Sequence, residues 1–102
     1  RLPPSARPTA IFCATDMMAI GVLNAALRLG LAIPKDLAVA GIDDSPEAAT
    51  AASPLTTILS PFYEMGARAG EMLRLLRDEP HSGPQHVLLE PRLVVRESTG
   101  KS

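Results

Sequence analysis

The chain has 102 residues, 46% of them hydrophobic and 21% charged, which is the scale and composition of one modest globular domain and excludes a disordered tail. Ten Lys and Arg against eleven Asp and Glu leave a net charge of -1, so this segment offers no electrostatic footprint for nucleic acid. No run approaches the roughly 20 apolar residues of a membrane-spanning helix, and "RLPPSARPTA" lacks the apolar core of a secretory signal.

Because it opens on Arg1 instead of Met, the chain reads as an internal or C-terminal piece of a longer protein. After Pro3, Pro4 and Pro8, the continuous apolar run Ala10 to Ala14 predicts a strand, and Thr15 and Asp16 behind it suit a helix start. Cys13, the single cysteine, lies inside that run and reads as a small buried hydrophobe. From Met17 to Leu29 only Asn24 and Arg28 are clearly polar, and Gly30, with Pro34 beyond, ends the helix. A helix apolar almost all round needs cover on two sides, its own sheet on one and a second subunit or domain on the other.

Leu37 to Ile42, "LAVAGI", is apolar without alternation, as expected of a strand buried in a parallel sheet. A right-handed crossover makes the two strands parallel and brings Thr15, Asp16, Asp43 and Asp44 to one carboxyl edge. Ser45 to Ala52 predicts a short helix, and "SPLTTIL" a β-rich stretch through Thr56, Thr57 and Ile58. Ser60 then caps and Pro61 opens a longer helix. In it Phe62, Met65, Ala69, Met72, Leu73 and Leu76 recur at helical spacing, and Glu64 pairs with Arg68. After the loop "RDEPHSGPQH", Val87 to Leu89 and Leu93 to Val95 read as two short strands broken at Pro91.

Adjacent carboxylates invite a catalytic or metal reading, but side chains alternate along an extended chain, so Asp43 and Asp44 do not naturally converge on one atom. The only lysines, Lys35 and Lys101, are not placed to complete a phosphoacceptor pocket, and no nucleophile stands with a base. His81 and His86 share a Pro- and Gly-containing loop without further ligands, which makes them solvated loop residues; no metal and no cofactor is expected. Asp44 with Glu47 three residues on resembles a capping box. Asp43 is left without a structural task, at the strand end where open α/β sheets bind ligands.

The pieces "PTAIFCATDMMAIGVLNAALRLGLAIPKDLAVAGIDDS", "SPLTTI", "EMGARAGEMLRLL" and "LEPRLVVRESTG" resemble, in order, the C-terminal part of LacI/GalR-family transcriptional regulators. The resemblance implies an α/β fold: the Rossmann-like, parallel-sheet C-terminal lobe of a periplasmic-binding-protein-like type I sensor domain. Residues 9–58 and 86–98 would form that lobe. Residues 59–80 would form a crossover and a helix packing on an N-terminal lobe outside this chain. Asp43, Thr15 and Phe62 match effector-contacting positions, although the family commonly has Asn where Thr15 stands. Asp16 matches an acid that helps shape the helix start, and Asp44 keeps its capping role. Met17, Ile20, Gly21, Asn24, Ala25 and Arg28 fall on the helix through which the family dimerises. The implied protein is a cytoplasmic repressor, not an enzyme, that binds a sugar or related effector, touches DNA only through an N-terminal headpiece absent here, and has no membrane partner. A periplasmic sugar-binding protein of the same fold is the alternative, and an enzyme on a Rossmann-like sheet a more distant one.

Overall fold

A computed structural model describes residues 3–100. Strands β1 (Ala10–Phe12), β2 (Ala38–Asp43), β3 (Thr56–Leu59) and β4 (Arg92–Val94) form one sheet in that order. The first three run parallel, and β4 is antiparallel to β3. The helices are α1 (Asp16–Arg28), α2 (Pro46–Thr50) and α3 (Phe62–Asp78). The chain divides into two compact units, one made of the residues up to Leu59 and those from Arg92 onward, the other of Ser60–Pro91.

In the first unit α1 starts where the Thr15 hydroxyl accepts the Met18 N–H at 3.2 Å. It ends in a Schellman turn: Gly30 takes φ 77°, its N–H reaches the Leu27 carbonyl, and the Leu31 N–H reaches that of Ala26. Ala19, Leu23 and Ala26, on one stripe of α1, meet Cys13, Leu37, Val39, Ala48 and Leu55 in the core. Burial raises the Cys13 thiol above its ordinary pKa, as expected of an inert core cysteine. A 3-10 turn at Glu97–Thr99 closes the start of β3, where the buried Ser98 hydroxyl accepts the Thr56 N–H and donates to the Val39 carbonyl at 2.6 Å.

Both connections between parallel strands lie on one face of the sheet, for α2 contacts α1. The register and the pleat place Phe12, Ala40, Ile42, Ile58 and Leu93 on the opposite face, where Phe12 and Leu93 are each 63% exposed. The expected double-sided burial of β2 is therefore met on the α1 side only, where Val39 and Gly41 are buried while the alternating Ala38, Ala40 and Ile42 are half-buried.

The second unit is α3 and the segment that follows it. No residue of α3 is buried. Met65, Ala69 and Met72 line an open apolar depression with Arg68, Val87, Leu88 and Leu89. Three expectations change here. Val87 to Leu89 is not a strand, so one strand follows the loop where two were expected. Pro61, not Ser60, holds the cap position of α3, without a side-chain cap. The ion pairs of α3 join Arg74 to Glu71 and Asp78, and Arg77 to Asp78, not Glu64 to Arg68.

Gly41 decides how closely α1 can lie on β2. A Cβ there would stand 2.6 Å from Asp16 Oδ1, 3.1 Å from Asp16 Cα and 3.2 Å from Ala19 Cβ, so the helix backbone itself would have to move. Gly41→Ala is expected to destabilise the fold by about 1–3 kcal/mol through overpacking, measured by urea denaturation of the protein containing this segment. A loss within about 0.3 kcal/mol, the scatter of independent surface changes, would show that the approach is not tight.

Candidate functional site

The carboxyl edge of the parallel strands brings the N-terminus of α1 beside the turn after β2. Asp16, the first residue of α1, is only 1% exposed and sends its carboxylate between three elements. Its Oδ1 accepts the Thr57 hydroxyl of β3 at 2.5 Å; its Oδ2 accepts the Ser45 N–H at 2.8 Å and the Ser45 hydroxyl at 3.2 Å. A buried carboxylate needs such donors to offset desolvation, and the helix N-terminus adds a favourable dipole. The expected local capping role of Asp16 is thus replaced by a tertiary one, because Thr15 already occupies the cap.

Asp44 is corrected in the same way. Ser45 stands at the cap position of α2, no side chain caps that helix, and Asp44 lies one residue too early. Its backbone is left-handed, at φ 57°, and its N–H donates to Thr57 Oγ1 at 3.3 Å. Its Oδ1 accepts Arg96 Nη2 at 2.9 Å, while Arg96 Nη1 donates to the Leu55 carbonyl, also at 2.9 Å.

Asp43 is different. It is half-buried, its φ is 135°, and its side chain makes no hydrogen bond or ion pair among the described residues. A non-glycine residue in such a conformation is strained, and strain of this sort gathers at ligand sites. Asp43 lines an open depression of about 270 Å³ with Asp16, Met17, Ile20, Ser45 and Glu47. No lysine or arginine lines it, and among the described residues no three or more His, Cys, Asp or Glu group as metal ligands.

Thr15 flanks the same helix start, but its oxygen is engaged by the Met18 N–H, which leaves the hydroxyl proton free to donate. Phe62 opens α3 in the second unit and is 55% exposed. Of the helix residues associated with dimerisation, Met17, Gly21, Asn24, Ala25 and Arg28 are exposed, on the side of α1 away from Ala19 and Leu23, whereas Ile20 is half-buried and packs against the core. Nothing in the sequence marks Ser45, Thr57 and Arg96 as members of the polar cluster. Gly41, in an otherwise apolar strand, was the one signal available, since an interior glycine marks close backbone approach.

Residues 1–99 match the family of periplasmic binding protein-like domains. The chain belongs to that family. It is similar to the HTH-type transcriptional regulator MalR of Streptomyces coelicolor, 45% identical over 92% of this chain and 27% of the relative. With the ribose operon repressor of Haemophilus influenzae the identity is 41% over 95% of this chain and 29% of the relative. A LacI family transcriptional regulator from Lactobacillus casei with bound sucrose superimposes with TM-score 0.77 at 36% identity, over 95% of this chain and 35% of that one. The likeness to LacI-type regulators and the periplasmic-binding-protein-like fold are thereby borne out, and the chain spans between a quarter and a third of these curated relatives. No described helix is long and apolar enough to cross a membrane.

The two acids predict opposite phenotypes. Asp16→Ala is expected to cost about 2–4 kcal/mol, since it strands a part-buried Ser45 N–H and the buried Thr57 hydroxyl. Asp43→Gly is expected to stabilise by roughly 0.5–1 kcal/mol through relief of its backbone strain. Equilibrium unfolding of both variants checks this, and a destabilised Asp43→Gly would give Asp43 a structural role after all.

Proposed function

We propose that the chain is part of the effector-binding domain of a LacI-type, DNA-binding transcriptional repressor, with Asp43 as the principal polar contact to a neutral, hydroxyl-rich effector such as a sugar. The observation that carries this is the free carboxylate of Asp43, held in a strained turn at the carboxyl edge of the sheet. A carboxylate accepts hydrogen bonds from vicinal hydroxyls, and the absence of cationic side chains around the depression favours a neutral ligand over a sugar phosphate. The relatives support the same reading, being regulators, among them a ribose operon repressor and a structure holding sucrose.

In this proposal the first unit is the larger part of a C-terminal lobe, the second belongs to an N-terminal lobe, and Leu59 to Phe62 is a crossover. The return to the first unit falls at Arg92, six residues later than position 86. Thr15 donates its hydroxyl proton to the effector, and Phe62 is a further effector contact. DNA is contacted by a headpiece elsewhere in the protein, which acts in the cytoplasm as a homodimer. A periplasmic sugar-binding protein remains the competing assignment, and the regulators among the relatives favour the first.

A thermal-shift screen of the full-length protein against glucose, ribose, sucrose, cellobiose and glucose 6-phosphate tests the effector class, because a ligand bound by the native state alone raises Tm. A neutral sugar is expected to raise it and Asp43→Ala to abolish the shift; a response to glucose 6-phosphate alone would sink the charge argument. The exposed side of α1 generates a second expectation. Ala25→Glu should drive the full-length protein towards monomer in analytical ultracentrifugation, and a dimer indifferent to charges scanned across Gly21, Asn24, Ala25 and Arg28 would remove α1 from the interface.

A further inference from the structure

Arg96 lies in the C-terminal segment, 52 residues from Asp44, and its side chain is only 20% exposed. Its guanidinium is shared between two acceptors, Asp44 Oδ1 and the Leu55 carbonyl, each at 2.9 Å. The second bond anchors it to the residue before β3, and its own N–H is bound to Thr56 Oγ1 at 2.8 Å. Arg96 is therefore fixed by its backbone to the first residue of β3, and by its side chain to the residue before it, as well as reaching Asp44. On the other side, the Asp44 N–H is held by Thr57 Oγ1, and Thr57 in turn by Asp16.

Two successive non-glycine residues with positive φ, Asp43 at 135° and Asp44 at 57°, will not persist unless their surroundings impose them. The Asp43 side chain supplies no restraint, having no partner among the described residues; only its backbone is held, as the last residue of β2, opposite Leu59 of β3. Ser45, farther along the chain, is held by Asp16, so the side-chain restraint between these two fixed points falls on Asp44, whose one side-chain partner among the described residues is Arg96. We propose that Arg96 is a positioning residue for effector recognition: through Asp44 it holds the β2–α2 turn in the left-handed conformation that presents the Asp43 carboxylate, without touching the effector itself. This rests on Asp43 being the effector contact.

The guanidinium fork matters more than its charge. Its two nitrogens serve two acceptors, and a lysine ammonium on a flexible stem cannot hold both in the same geometry. If release of the turn leaves the presenting conformation populated one time in ten, apparent affinity falls by about tenfold even though no effector contact is removed.

Full-length wild type, Arg96→Met, Arg96→Lys, Asp44→Asn and Asp43→Ala are to be titrated calorimetrically with sucrose, ribose and cellobiose, with amide hydrogen exchange followed over residues 38–46. Arg96→Met is expected to weaken sugar binding about tenfold and to speed exchange at residues 43–45, with 38–41 unchanged, whereas a merely structural role would raise exchange along the whole strand. Asp44→Asn keeps both an acceptor oxygen and a tolerance for positive φ and should retain affinity; Arg96→Lys should not restore it. Unchanged exchange at 43–45 in Arg96→Met, or full affinity in that variant, would overturn the proposal. Sugar binding that survives Asp43→Ala would instead remove the effector reading, while the exchange measurement would still decide whether Arg96 holds the turn.

Discussion

A carboxylate from the first turn of α1 is inserted over a glycine of the neighbouring strand and satisfied by the next strand and the next turn. Asp16 reaches Thr57 and Ser45 only because Gly41 has no side chain in the way. Burying a charge costs several kcal/mol, and here the cost is offset by three hydrogen bonds and the dipole of α1. Removing any donor would leave the charge under-solvated, so the height and rotation of α1 on the sheet are strongly determined. Everything at the carboxyl edge inherits that precision, including the Thr15 hydroxyl and the turn that carries Asp43 and Asp44.

Around this carboxylate the polar groups form a connected line, Ser45 to Asp16 to Thr57 to the backbone of Asp44, and on through its side chain to Arg96. A partly satisfied polar network is worse than an apolar core, but a fully satisfied one specifies a single arrangement. The first unit needs that specificity, because its core is built largely from small side chains: Ala19, Ala26, Ala48, Cys13 and Val39 beside three leucines. Such residues bury modest area each and would tolerate slippage of a helix by part of a turn. The buried carboxylate does not.

The sequence revealed the local features and concealed the distant ones. The uninterrupted apolar runs located β1, β2 and α1 to within a residue or two, and Gly30 marked the end of α1 because a left-handed helix cap favours glycine there. Asp16 and Asp44 read as caps in the sequence because acids beside Thr and Ser near a helix start usually are. Their partners lie 29, 41 and 52 residues away, beyond any periodicity. Val87 to Leu89 misled for a related reason. The residues are apolar and β-prone, but a strand also needs a neighbour, and the open edge of β3 is taken by Arg92–Val94. Asp43 was identified by elimination, and its strained backbone, the strongest mark of its site, cannot be read from two letters in a row.

The chain leaves the sheet after Leu59 and comes back at Arg92, and those two residues are direct partners in the antiparallel pairing of β3 and β4. The whole of Ser60–Pro91 therefore hangs from a doorway about 5 Å wide, the Cα separation of paired residues. Topologically it is a cargo inserted at the tip of a hairpin. A doorway so narrow can be closed by a two-residue turn such as Asn-Gly, which suits the twist of paired strands. The remaining sheet, α1 and the polar line through Asp16 would then be one uninterrupted miniature scaffold, in which the edge bearing Asp43 is separable from everything the excursion was grafted on to provide.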